Sequence, residues 1–526
     1  MRRVALVIVV ALVGSVGLAA HAVAGRSTVV SAAAVRSLRV DFNNDGADDL
    51  AVGVPGEDVG SAVDAGVVTV LYGSAGGLTS GGSQQFTQPV SAVETDDQFG
   101  AALASGDVNG DGFADLVVGA PFEDVGGTVD AGAMSVLYGS AGGLTTSGAR
   151  TFVQVGGAVE AGDQFGSALA SGDFNNDGLG DVAAGAPFED VGTVPDAGAV
   201  SVLYGSAEEL TTTGGQAFTQ PVSAIEVDDV FGFALAAGDF DQDGFADLAA
   251  GAPFEDVGRT FNGGAVSVLY GSAGGLTTTG GQTFVQPGNV EELDEFGFAV
   301  AAGDFNQDGV ADLAAGAPFE NVGTIQTAGA VNVLYGSVGR LTTTNAQTFV
   351  QPAGVEEGDA FGFAVATGDF DQDGFADLAA GAPEENVGST ADAGAVSVLY
   401  GSAGRLTTSD AQTFTQVGSA AEVFDQFGFA VAAGDFNQDG FVDLAVGAPF
   451  EDVGSIATAG AVSALYGSTG RLTTSGGQLF HQNSAGVPGA AEAGDFFGAG
   501  LAVDDAGAAQ APSSAPSTSR ERSRRR

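Results

Sequence analysis

Short apolar runs alternate with clusters of Gly, Asp, Asn, Ser and Thr along almost the whole chain. From Phe231 to Gln286 the sequence divides into FGFALAAGDF, DLAAGAPF, GAVSVLYGS and GGQTFVQ, each of strand length and each bounded by turn-forming residues. No stretch here sustains the 3.6-residue apolar period of an amphipathic helix, so the pattern predicts four short strands. The unit then repeats. The segment at Asp41 recurs at Asp107, Asp173, Asp239, Asp304, Asp369 and Asp435, with spacings of 66, 66, 66, 65, 65 and 66. Seven four-stranded copies fill residues 38–505 and read as an all-β, seven-bladed β-propeller of four-stranded antiparallel blades.

Side-chain size along each copy agrees with radial packing, since blades crowd at the axis and spread at the rim. The first two strands are rich in Gly and Ala. The third carries a larger pair, Leu269 with Tyr270, and all seven tyrosines, from Tyr72 to Tyr466, occupy this position. The fourth carries Phe86, Phe152, Phe218, Phe284, Phe349, Phe414 or Phe480. These aromatics are expected to fill wedges rather than to cage a ligand. Copy one opens at its Asp41 loop without a clear FG strand, whereas a lone FG strand stands at Phe497 and Gly498. The C-terminal strand is therefore expected to share the first blade with N-terminal strands and so remove open sheet edges. The competing arrangement makes residues 32–40 a degenerate first strand and the Phe497 segment a truncated eighth copy.

Residues 1–24 begin with Arg2 and Arg3, continue with an apolar run from Val4 to about Ala20, and end in small residues. They read as a signal peptide, with an uncleaved anchor as the alternative, and residues 25–37 read as a linker. No second apolar run of about 20 residues follows, so no membrane span is expected after cleavage. Past Asp505 the text APSSAPSTSRERSRRR is of low complexity, and residues 506–526 are expected to be a disordered tail. The absence of cysteine leaves stability to packing and, on the reading below, to metal. A secreted or cell-surface location and a monomeric state are expected.

Charge changes the picture. A formal net charge of −51, from 66 acidic and 15 basic residues, repels a phosphate backbone and argues against nucleic acid as a partner. With 44% apolar residues and 36 Phe the chain has a core to build, so this acidity is not the mark of disorder. Much of it recurs in one place. Between the first two strands of every copy stands D-x-[DN]-x-D-G-x-x-D, whose positions 1, 3, 5, 7 and 9 are Asp41, Asn43, Asp45, Ala47 and Asp49 in the first copy. The second has Asp107, Asn109, Asp111, Phe113 and Asp115, and the third has Asp173, Asn175, Asp177, Leu179 and Asp181. The fourth has Asp239, Asp241, Asp243, Phe245 and Asp247, and the fifth has Asp304, Asn306, Asp308, Val310 and Asp312. The sixth has Asp369, Asp371, Asp373, Phe375 and Asp377, and the seventh has Asp435, Asn437, Asp439, Phe441 and Asp443.

Calcium takes six to eight oxygen ligands in a flexible shell. Acids at positions 1, 3 and 5 let a tight loop wrap one ion, glycine at position 6 permits the turn, position 7 offers its carbonyl and position 9 closes the shell. A helical EF-hand would need a glutamate at position 12, where Val52, Val118 and other apolar residues stand, so the loop joins strands instead. Seven loops in register predict up to seven Ca2+. Asp241 and Asp371 give the fourth and sixth loops one extra carboxylate, and these two are expected to bind most tightly.

At FG, DxNxDG and GAP, as in Phe165 and Gly166, Asp173 to Asp181, and Gly185 to Pro187, the chain resembles the FG-GAP repeat of integrin α subunits. Similar repeats occur in glycosylphosphatidylinositol-specific phospholipase D and in bacterial secreted proteins. The resemblance implies the seven-bladed fold, calcium in the hairpin loops and a ligand face opposite them. Integrin propellers carry such loops in only some blades, and the stalk, membrane helix and cytoplasmic tail of an integrin have no counterpart here.

In an antiparallel blade the calcium loops and LYGS turns share one face, while the GAPFEDVG loops share the other with the inter-blade links. That second face is acidic too, through Glu123 and Asp124, Glu189 and Asp190, Glu255 and Asp256, Glu451 and Asp452, and Glu94, Glu160 and Glu226 before FG. It is either a solvated surface or a ring attracting cationic or calcium-bridged ligands. Outside the leader the chain has one histidine, His481, and no cysteine, which leaves no histidine-based triad and no zinc cluster. The expectation is therefore a non-enzymatic adhesion or recognition module for a protein or cell-surface ligand, with a glycan-binding propeller or a calcium-dependent polysaccharide-degrading enzyme as alternatives.

Overall fold

The computed structural model describes residues 40–221 and 225–502. The leader, the linker and the Arg-rich tail read from the sequence lie outside the described residues. The described chain forms 28 strands, β1 to β28 in chain order, in seven four-stranded antiparallel sheets. In the fourth blade β12 (Leu235–Gly238), β13 (Asp247–Ala252), β14 (Ala265–Tyr270) and β15 (Thr277–Val285) lie side by side in chain order. The innermost strands, β4 (Ala102–Gly106), β8 (Ala168–Gly172), β12, β16 (Val300–Gly303), β20 (Val365–Gly368), β24 (Ala430–Gly434) and β28 (Gly500–Ala502), touch one another in succession and bring the ring back to β4.

Closure follows the expected route. The first blade has the order β28, β1 (Leu50–Val54), β2 (Val67–Tyr72), β3 (Thr79–Phe86), with Ala51 opposite Ala502 and Gly53 opposite Gly500. The Phe497 segment thus completes blade one, and the truncated-eighth-copy arrangement does not occur.

Glycines explain how closely the blades approach. The glycine of each G-A-P lies against the FG glycine of the next blade, and a Cβ built on Gly251 would sit 2.0 Å from the carbonyl oxygen of Gly297. The FG glycines have positive φ, 90° at Gly297, a conformation that glycine adopts without strain. The paired phenylalanines from Phe99 to Phe497 are fully buried at the same seams.

The tyrosines do more than fill wedges. Tyr72 donates to the Gln84 side chain and accepts the Leu144 N–H of the next blade at 3.3 Å, while Gln84 donates to the Leu144 carbonyl at 3.2 Å. Tyr466 and Gln478 hold Leu78 in the same way and so bridge blades seven and one. In the second blade Arg150 replaces this glutamine and pairs with Glu209.

The centre of the ring is less uniform than the repeat. After FG, blades four to seven carry Phe233, Phe298, Phe363 and Phe429, whose rings follow one another at 5.0 to 5.2 Å between centroids. The other three blades place Ala101, Ser167 and Ala499 there. Phe254, Phe319 and Phe450, from the G-A-P loops, pack onto this arc at 5.8 to 6.0 Å.

Candidate metal centres

The seven acidic loops lie on one face because each joins the innermost strand of a blade to the second, except that the first loop leads directly into β1. Position 2, a residue the spacing argument passes over, anchors each loop: Phe42, Val108, Phe174, Phe240, Phe305, Phe370 and Phe436 are fully buried. Around this anchor the aspartates fold the loop on itself. Asp239 accepts the N–H groups of Asp243 and Gly244 at 3.1 and 3.0 Å, Asp243 accepts that of Phe245 at 3.0 Å, and Asp247 accepts those of Phe240 and Gly271 at 2.8 Å each. The last bond ties the loop to the third-to-fourth-strand turn of its own blade.

Neighbouring loops are joined as well. The carbonyl of Asp239 accepts the Ala311 N–H of the next loop at 3.0 Å, and the same bond recurs from Asp107 to Gly180 at 2.8 Å and from Asp435 to Asp48 across the closure at 3.0 Å. With the bonds from Asp41, Asp173, Asp304 and Asp369, a hydrogen-bonded ring runs through all seven loops.

Position 9 is the most buried acid. Burial pushes Asp49, Asp115, Asp247, Asp312 and Asp443 up to about 8, Asp181 to about 7 and Asp377 to about 9. Backbone N–H bonds oppose the shift, and repulsion from the other loop aspartates adds to it. Positively charged company in these loops would hold the carboxylates ionised.

The structure brings Asp239, Asp241 and Asp247 together, and likewise Asp369, Asp371 and Asp377, with one oxygen of each within 4.8 Å of the others. In both loops the position-3 carboxylate has a buried oxygen, Oδ1, with no hydrogen-bond partner, and Asn43 Oδ1 in the first loop is in the same state. An oxygen-only donor set with orphaned buried acceptors suits a hard cation such as calcium. The remaining loops differ at position 3. Asn109 and Asn437 accept the N–H of Asp111 and Asp439, whereas Asn175 and Asn306 donate to Asp181 and Asp312. Asp45, Asp111, Asp177, Asp308, Asp373 and Asp439 repeat the Asp243 bond to position 7. Position 7 has only its backbone to offer a cation, and its side chain packs at the turn glycine, as Phe113 does at Gly139.

The two loops with an extra carboxylate also meet an arginine, which the spacing did not reveal. Arg340, from the turn of blade five, lies over the Tyr270 ring at 4.2 Å and reaches Asp241 at 3.5 Å; Arg471 lies over Tyr400 at 4.2 Å and reaches Asp371 at 3.4 Å. Arg405 stacks on Tyr335 in the same way, but the loop it faces has Asn306 at position 3. The extra negative charge is thus partly matched from the neighbouring blade.

On the opposite face the G-A-P loops meet the inter-blade links. His481 lies one residue past β27 (Thr473–Phe480), and burial lowers its affinity for a proton.

Comparison with known proteins agrees with the repeat register. The FG-GAP repeat family matches residues 38–71, 99–137, 165–203, 231–269, 296–334, 361–399 and 427–465. Phosphatidylinositol-glycan-specific phospholipase D of Rattus norvegicus is 37% identical over 179 residues, 33% of this chain and 20% of that protein. Integrin alpha-5 of Xenopus laevis is 32% identical over 237 residues, 44% of this chain and 21% of that protein. The chain therefore matches about a fifth of the length of these relatives. Among solved structures, the exotype rhamnogalacturonan lyase YesX is similar with a TM-score of 0.38 at 10% identity, over 91% of this chain and 87% of that one.

Proposed function

This chain belongs to the FG-GAP repeat family, and from that premise we propose that it is an extracellular, calcium-braced propeller that recognises a protein ligand on the face opposite its metal loops. The observation that carries the calcium reading is the orphaned, buried side-chain oxygen at position 3 of the first, fourth and sixth loops. Residues 41 to 49 and their six counterparts would each hold one ion, the side chains of positions 1, 3, 5 and 9 and the carbonyl of position 7 being the candidates. Bound calcium supplies positive charge where burial otherwise favours protonated carboxyl groups.

The recognition reading rests on relatedness to integrin α subunits and on the acidic residues gathered on the second face. A rigid ring of repeated units binds a repetitive target with avidity, and a protein array or a glycan does equally well in that respect. Among the described residues no helix is long and apolar enough to cross a membrane.

The test is thermal unfolding of residues 25–526 in excess chelator and in millimolar calcium, with a titration that counts bound ions. An upward shift with about seven ions is expected, since ligands of the folded state alone stabilise it. No shift and no bound ion would remove the metal assignment. Retention on immobilised glycans in place of protein ligands would move the reading to a lectin, and release of products from a polysaccharide panel would move it to an enzyme.

A further inference from the structure

Every junction between blades on the G-A-P face sets a buried aspartate beside a buried or half-buried glutamate. The pairs are Asp97 with Glu123, Asp163 with Glu189, Asp229 with Glu255, Asp294 with Glu320, Asp359 with Glu385, Asp425 with Glu451 and, at the closure, Asp495 with Glu57. The aspartate ends the link that enters a blade, and the glutamate begins that blade's G-A-P loop. All seven aspartates are at most 2% exposed. In the first six pairs each carboxyl group acts directly on the other, by repulsion when both are ionised and as a hydrogen-bond partner when one is protonated, and at the closure Glu57 acts on Asp495 by repulsion.

We propose that each of these pairs holds one proton in common at neutral pH, and that the seven shared protons lock the G-A-P face and are released on the alkaline side.

Two neighbouring carboxylates away from water and without a counter-charge resist ionising together, and a single proton converts their repulsion into a bond. The strongest charged neighbours of each pair are all acidic. Glu94 and Asp124 face the first pair, Glu160 and Asp190 the second, and Glu226 and Asp256 the third. Glu291 faces the fourth, Glu356 the fifth, Glu422 and Asp452 the sixth, and Glu492 and Asp58 the closure pair. The chain contains no lysine, and the arginine closest in sequence to any pair, Arg259, has no ion pair among the described residues.

Most of the remaining lone pairs are committed. Each aspartate accepts the N–H three residues before it, at 2.7 Å from Glu94 to Asp97, and five of the seven glutamates are reached by a buried glutamine, at 3.0 Å from Gln88 to Glu123, whereas Glu189 and Glu451 each keep a buried Oε2 without a partner. That leaves fewer free oxygens than the six to eight a calcium ion takes, so a proton fits the pair better than a metal. Burial, followed by repulsion within the pair, pushes Glu255, Glu320, Glu385 and Glu451 up to about 7. Groups raised in the folded state stabilise it below the ordinary carboxyl range and lose that contribution as pH rises, here through about 7.

The deciding experiment compares the parent with a Glu189→Gln/Glu255→Gln/Glu320→Gln variant, both in saturating calcium. A glutamine amide donates permanently where the proton stood. The parent's melting temperature is expected to fall between about pH 6 and 9, and the variant's to fall less, so that the variant melts higher at the alkaline end. Potentiometric titration over the same range should give about one proton fewer per substituted pair. If the glutamine variant does not fold, Asp163→Asn/Asp229→Asn/Asp294→Asn takes its place in both measurements. Equal slopes and equal proton counts would overturn the proposal, and so would a variant that binds three calcium ions fewer than the parent. Because the readout is a difference between two chains in one buffer, it stands apart from the occupancy of the metal loops.

Discussion

Single atoms decide the fit between blades. At Gly251 the next blade's backbone occupies the place of a Cβ, so Gly251→Ala must separate two main chains rather than turn a side chain. The expected loss is about 1–3 kcal/mol, read as a lower denaturation midpoint at unchanged slope. At the metal face Arg340 and Arg471 compete with a cation for Asp241 and Asp371. Arg340→Ala is expected to tighten the fourth loop's calcium affinity severalfold in a calorimetric titration, with Arg471→Ala doing the same for the sixth loop. The sequence alone ranks these two loops highest by counting acids. It does not show the arginines, because they come from a turn about 100 residues later and meet the loop only after the blades have stacked.

Strands and loops were the most legible level. Short apolar runs separated by Gly and Asp mark all four strands of each copy, and the missing FG at one end announces its partner at the other. What the pattern left out is what crosses between copies: the Tyr-to-Leu bonds, the loop-to-loop ring and the carboxyl pairs all join residues of different blades or links, and periodicity within one copy carries no trace of them. The phenylalanine arc was missed for another reason, since Phe233 and Ala101 hold the same position in the repeat and only the departure from uniformity distinguishes them. Closure by β28 makes a further prediction. Ending the chain at residue 499 leaves β1 as a bare edge, and the expected result is a lower melting temperature together with association visible by light scattering.

For the molecule as a whole, the charge of −51 opposes compaction, and seven divalent ions would offset it by fourteen. In chelator, raising sodium chloride from about 0.01 to 0.5 M is expected to raise the melting temperature by screening that repulsion; in calcium the same change should do much less. Residues 40 and 502 belong to the same blade, and the antiparallel register sets the N-terminal end of β1 beside the C-terminal end of β28. Tension drawn outward from those two points therefore loads the joint like a zipper, one register pair after another, and not in shear across all three at once. Under a mechanical pull the pairing of β28 with β1 is expected to part first, and the hoop opens at the place where it was fastened.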